Sequence, residues 1–163
     1  FLLNAGHETS TNMISHGIHE MLRHPDQIAC LQADPNLIES AVEEILRYHA
    51  PIQINNRRAL VDTELSGMLI PAGAIAHLMI AGANRDPAQF PDPNTFDIAR
   101  RPNRHLSFGL GIHVCIGNTL ARIEGRIAFA KLFDRFPGLQ LVAPAKLSNR
   151  VRFREVEELQ VRL

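Results

Sequence analysis

The sequence predicts an α+β fold, mostly α with small β-sheets. Apolar residues recur at helical spacing over 1–23, 36–48 and 116–136. The pattern turns toward alternation after Pro51 and again after Pro137-Gly138. Prolines and glycines stand at the borders between these stretches. The chain has 163 residues, 45% of them hydrophobic, which suits one globular core rather than a disordered chain. Lys+Arg and Asp+Glu are each 17, so a broad basic face for nucleic acid is not expected. No apolar run reaches the ~20 residues that span a bilayer, and no basic stretch leads into an apolar one, so neither a membrane anchor nor a secretory leader is expected. Cys30 and Cys115 are too few for a disulfide framework, and a reducing, cytoplasmic setting follows as the expectation.

Each element has a local reason. Leu2, Leu3, Met13, Ile14, Ile18, Met21 and Leu22 make one face of a helix over 1–23, and His24-Pro25 ends it. Residues 25–33 suit a short helix with Pro25 at its first position. Asp34-Pro35-Asn36 is a break with Asp34 as N-cap. Leu37, Ile38, Ala41, Ile45, Leu46 and Tyr48 define an amphipathic helix over 36–48. Strands are expected at 56–61 and 65–70, with turns at Gly67 and Pro71-Ala72-Gly73. Residues 74–82 read equally as strand or helix. The stretch 84–104 is rich in Pro, Asn, Asp and Arg and is expected to be irregular, packed through Phe90 and Phe96. The helix at 116–136 stops at Pro137-Gly138, and 139–163 suggests two or three strands.

Cys115 lies just before the long helix, where first-turn N–H groups are unpaired and suit a negatively charged sulfur. Gly109, Gly111 and Gly117 surround it and let backbone approach a flat partner closely. One cysteine is too few for zinc or an iron–sulfur cluster and is the right number for a haem with one axial thiolate. His113 and His105 are candidate donors to the carboxylates of such a cofactor. A structural cysteine in a glycine-rich turn is the plainer reading of the same residues. Glu44 and Arg47, three apart, share a helix face, as many surface pairs do. His16 and His19 also share a face, but no His-Glu-x-x-His pattern accompanies them and a zinc site is not favoured. His7 reads as an exposed helix residue and Cys30 as a small core residue.

The string Phe108-Gly109-Leu110-Gly111-Ile112-His113-Val114-Cys115-Ile116-Gly117 resembles the cysteine-ligand loop of the cytochrome P450 family, Phe-Gly-x-Gly-x-His-x-Cys-x-Gly, with every fixed position present. The preceding His105-Leu106-Ser107 resembles the bacterial, soluble branch. The resemblance implies haem b with Cys115 as its proximal thiolate ligand, Phe108 packed near the sulfur, and His113 reaching a propionate. It implies that Glu44 and Arg47 form a buried structural pair completed by another arginine: Arg85, or one of Arg100, Arg101 and Arg104, with the 100–104 cluster favoured. Glu43 is then the solvent-facing neighbour. Arg57, ahead of Asp62, resembles the strand arginine that reaches a propionate, with Arg58 pointing the other way. Ala5-Gly6-His7-Glu8-Thr9 resembles the central helix over the haem, where Ala5 and Gly6 make room for dioxygen, Thr9 is the proton-relay alcohol and Glu8 its acid.

The function so implied is a haem-thiolate monooxygenase. It would insert one atom of dioxygen into a small apolar organic substrate, with electrons from a ferredoxin or reductase that Arg101 and Arg104 could face. The resemblance runs from Phe1 to Leu163, while family members are much longer, and the chain opens inside an apolar stretch. The expectation is therefore one partial domain, a fragment holding only the C-terminal portion of the fold: a remnant of the distal helix at 1–23, small sheets at 56–70 and 139–163, and the Cys-ligand loop at 105–117. The alternative is a truncated, non-catalytic remnant with weak or no haem binding. A helical interaction module is a weaker third reading.

Overall fold

The computed structural model describes residues 1–163. Helix α1, Leu2–Arg23, stops at His24, and Pro25 opens α2, Pro25–Ala33. Proline disfavours helical backbone in the residue before it and suits a first helical position. Asp34 caps a 3-10 turn, Pro35–Leu37, by accepting the Asn36 N–H at 3.1 Å. Helix α3 follows at Ile38–Tyr48 and buries Ala41, Val42, Ile45 and Leu46. These meet Met13 and Met21 of α1 and Phe129 and Phe133 of the last long helix, which spans Asn118–Arg135. The core is thus a three-helix contact. Its closest approach falls at Gly17 of the first helix, where an ideal Cβ would lie 2.3 Å from Phe129 Cζ.

The irregular stretch is packed: Phe90, Phe96 and Ile98 are all buried, and the last two join the helical core. Strands β1, Ile54–Arg58, and β4, Ile75–Met79, form an antiparallel pair with Arg57 opposite Ala76. Between them, β2, Thr63–Leu65, and β3, Met68–Ile70, make a hairpin. After β4 come a short helix α4, Ile80–Ala83, and a 3-10 turn at Gly111–His113; the Asn118–Arg135 helix is α5. In the tail, β5, Gln140–Leu141, pairs with β8, Val161–Arg162, and β6, Lys146–Leu147, with β7, Val156–Glu158.

The structure corrects several expectations. Five α-helices stand beside eight strands in four two-stranded sheets, a mixed α/β fold rather than a mostly α one. The strand expected at 65–70 is interrupted by Ser66 and Gly67, at φ of 51° and 78°. Two successive left-handed residues make the tight turn that matches hairpin twist. The ambiguous 74–82 resolves into both β4 and the start of α4. The tail holds four short strands, not two or three. Cys30 is exposed on α2, because only Leu31 of that helix is buried.

Candidate active site

The loop before α5 is fixed by its own backbone. The Cys115 N–H donates to the Phe108 carbonyl at 2.8 Å, and the Gly109 N–H to Leu106 at 2.8 Å. Between these bonds the chain turns through Gly109 and Gly111, at φ of 70° and 74°, a conformation side chains with a Cβ rarely adopt. Gly117 needs no such freedom: it sits at φ −86° before α5, with an ideal Cβ 3.9 Å from Cys115 Sγ. Cys115 and His113 are exposed, and Leu110, Ile112, Val114 and Ile116 form an apolar rim beside them. Phe108 packs against the helical core with the Arg122 guanidinium over its ring at 4.5 Å.

Two anchors hold this loop to α3. Buried Asn84 accepts the Leu106 N–H at 2.8 Å and donates to Ser107 Oγ at 2.9 Å, while Ser107 Oγ donates to the Leu46 carbonyl at 2.6 Å. Beneath it, Arg47 donates through Nε and Nη2 to the two oxygens of Glu44, both at 2.7 Å, with neither side chain exposed. Glu44 also receives Arg100 Nε at 3.2 Å, Asn103 Nδ2 at 3.1 Å and the Asp97 N–H at 3.0 Å. Arg100 thus joins the pair. Arg85 instead lies 3.6 Å over the Tyr48 ring.

Two expectations for neighbouring residues are corrected. Glu43 is half-buried and paired rather than simply solvent-facing. Arg122 grips it at 2.6 and 2.9 Å, and His105 Nε2 lies 3.1 Å from it. Burial pushes the Glu43 carboxyl up, but hydrogen bonds from His105 and Arg122 outweigh this and bring it to about 2. His105 is therefore committed to Glu43 rather than free for a cofactor carboxylate.

On α1, Ala5 and Gly6 are exposed, and an ideal Cβ on Gly6 would meet nothing within 4 Å. Thr9 Oγ1 donates to the Ala5 carbonyl at 2.7 Å, not to Glu8. Glu8 pairs with Arg150 of the tail at 2.8 Å. The alcohol–acid contact that forms on this helix is the next one along, Ser10 Oγ to Glu124 at 2.8 Å, a tie between α1 and α5. The sequence carries no signal for it, because 114 positions separate the partners. Arg57 is exposed on β1 and donates to the neighbouring Asn56 carbonyl at 2.8 Å; Arg58 beside it is exposed too.

The donor chemistry fits a haem. Cys115 is the single cysteine of its loop and is exposed, and no three His, Cys, Asp or Glu side chains converge as a metal cage. A single soft donor suits an iron whose other ligands come from a macrocycle. The glycine turns and the apolar rim leave the sulfur open to a flat, apolar partner.

Known proteins agree. The family model for cytochrome P450 matches residues 1–146. The biotin biosynthesis cytochrome P450 of Bacillus subtilis is 47% identical over 161 residues, 96% of this chain and 40% of that protein. The 6-deoxyerythronolide B hydroxylase of Saccharopolyspora erythraea is 44% identical, over 99% of this chain and 41% of its own. The solved structure of P450BioI in complex with hexadec-9Z-enoic acid ligated acyl carrier protein superposes with a TM-score of 0.94 at 45% identity, covering 98% of this chain and 41% of that one. CYP109E1 from Bacillus megaterium in complex with testosterone gives a TM-score of 0.95 at 37% identity, covering 99% and 45%.

This reach corrects the expectation of a fragment holding only the C-terminal portion of the fold. The mixed α/β P450-like fold runs through nearly the whole chain, from α1 to the last strands. Phe1, Leu2 and Leu3, at the apolar start of α1, are exposed. The chain spans about 40% of the length of the two relatives named first. With a family match over residues 1–146, the chain belongs to the cytochrome P450 family.

Proposed function

We propose that this chain serves a haem-thiolate monooxygenase reaction, in which an apolar organic substrate, dioxygen, two electrons and two protons give a hydroxylated product and water. The observation that carries the proposal is Cys115: an exposed sulfur on a glycine-turned loop at the head of α5, in a chain of this family. Haem b, when bound through the Cys115 thiolate, supplies the iron chemistry that activates dioxygen.

The protein's own groups do the rest. Gly109, Gly111 and Gly117 keep Cβ atoms away from the cofactor's face, and Phe108 shields the sulfur side by packing on the core. Exposed His113 and Arg57 offer N–H donors to the cofactor's carboxylates, and the planar fork of Arg57 suits a carboxylate well. Glu44 and Arg47 fix α3 beneath the loop. On α1, Ala5 and Gly6 leave open space. Thr9 Oγ1, its proton on the Ala5 carbonyl, presents lone pairs as an acceptor, with Glu8 as the adjacent acid.

Electrons come from a ferredoxin or reductase, and exposed Arg101 and Arg104 would meet an acidic face on it. The molecules in two relatives' solved structures, a long-chain fatty acid on its carrier protein and testosterone, support an apolar substrate. No helix is long and apolar enough to cross a membrane. Both cysteines are free, which agrees with a reducing, cytoplasmic setting. Isotopically labelled dioxygen tests the reaction: one labelled atom should appear in the product and the other in water, and product oxygen drawn from water would overturn the assignment.

A further inference from the structure

The middle of α1 holds a buried imidazole that the oxygenase reading does not use. His16 is 2% exposed. Its ring lies flat on that of His49, with centroids 4.4 Å and planes 13° apart. His16 Nε2 meets the backbone carbonyl of Arg154 in the tail, and its Nδ1 has no partner. A carbonyl only accepts, so Nε2 carries the proton of a neutral ring and Nδ1 is bare. His49 has a counter-ion: its Nε2 lies 2.8 Å from Glu20 Oε1, on a carboxylate only 2% exposed. Burial opposes ionisation of Glu20, yet hydrogen bonds with His19 and His49 hold its carboxyl far below the usual range. A positive charge on His49 would thus have Glu20 as its counter-ion. A second, on His16, would be stacked against the first, away from water, with an unmatched N–H. Burial first, and His49 next, hold His16 down at about 4.

The other groups facing the pair offset that second charge only in part: the Arg154 carbonyl and Glu20 favour it, but burial, His49 and His19 outweigh them. On α1, His19, Arg23 and His24 all lean on Glu20, at 3.4, 3.3 and 3.7 Å. Tyr48 ends α3 beside His49, and Arg85 stacks on Tyr48. Glu124 of α5 is engaged by Ser10. In the tail, Arg150 bridges Glu8 and Glu155. Arg154 presents its carbonyl, which a neutral imidazole already satisfies.

We propose that His16 and His49 form an acid-released latch on tail residues 148–158: His16 clasps the Arg154 carbonyl while the stacked pair holds at most one positive charge, and a second proton lets the segment go. Release would also withdraw Arg150 from Glu8, so the latch reaches the acid of α1. The reporter is the Gln53 N–H, which donates to the Arg152 carbonyl at 2.9 Å and so closes the segment onto the body.

Amide hydrogen exchange of the full chain, corrected for intrinsic rates, reads this directly. Opening that takes up one proton should lower Gln53 protection about tenfold per pH unit, from roughly pH 6.5 downward to about 4. His16→Gln keeps a donor for Arg154 and cannot be charged, so its slope between roughly pH 6.5 and 5 should vanish. In His49→Gln, the His16 ring followed by NMR should titrate at a higher pH than in the wild type. Flat Gln53 protection in the wild-type chain, or an unchanged slope in His16→Gln, overturns the latch; the wild-type profile decides alone if a variant does not fold.

Discussion

Arg47 has five N–H donors and makes five hydrogen bonds: two to Glu44 and one each to the carbonyls of Asn84, Pro93 and Thr95. A charge so deep is tolerated only when fully paired. Arg47→Ala would take the bidentate partner from buried Glu44 and a donor from each of three carbonyls, and a loss of about 3–5 kcal/mol is expected in urea unfolding. Arg47→Lys should also cost stability, because an ammonium cannot match the bidentate fork. Glu43 makes a pH-dependent contribution. Its carboxyl lies near 2 in the fold, below its ordinary 4.5, so the stability it adds is present above ~4.5 and is lost as pH falls toward about 2. Glu43→Gln should thus be less stable than wild type at neutral pH, on the order of 2–3 kcal/mol. The gap should close on acidification between those two values in denaturation curves taken across pH. The Glu44–Arg47 spacing is legible in the sequence. The role of Glu43 is not, because its partners, His105 and Arg122, lie 62 and 79 positions away.

At the scale of elements, α1 and α5 meet where Gly17 faces Phe129. The phenyl ring is buried and has little room to yield, so Gly17→Ala overpacks the contact. A loss of about 1–3 kcal/mol is expected in thermal or urea unfolding, despite alanine's better helix propensity. Helix ends are readable in the chain because Pro25, Pro35 and Pro137 act locally. The hairpin at 63–70 is readable only in part: Gly67 marks a turn, but alternation does not show that Ser66 is left-handed as well, and it sets a strand at 65–70 across the turn. The partners of α1 are not readable at all. Glu8 meets Arg150, Ser10 meets Glu124 and His16 meets the Arg154 carbonyl, each a contact between segments far apart in the chain. Only the fold supplies those partners. The irregular stretch 84–104 owes its order to two guanidiniums: Arg47 and Arg100 gather the carbonyls of Asn84, Pro91, Asp92, Pro93 and Thr95, replacing the ladder bonds that a strand would provide.

Across the whole molecule, the buried Glu44–Arg47 network, the Asn84–Ser107 anchor and the glycine turns place one sulfur on the surface at the head of α5. Ten consecutive residues, Phe108 to Gly117, make that loop legible from the sequence alone, since the turns and the cysteine are adjacent in the chain. A ligand that binds only the folded state raises its stability, by about 2.7 kcal/mol at a hundredfold excess over Kd. Added haem should therefore raise the unfolding midpoint of the wild-type chain and raise that of Cys115→Ser less. The central claim, that the Cys115 thiolate ligates the iron, is tested most directly by the absorbance of the reduced, haem-loaded chain under carbon monoxide. The wild type should show the red-shifted Soret band of a thiolate ligand and Cys115→Ser should lack it; the same band in both, or its absence from a wild type with haem bound, would contradict the account.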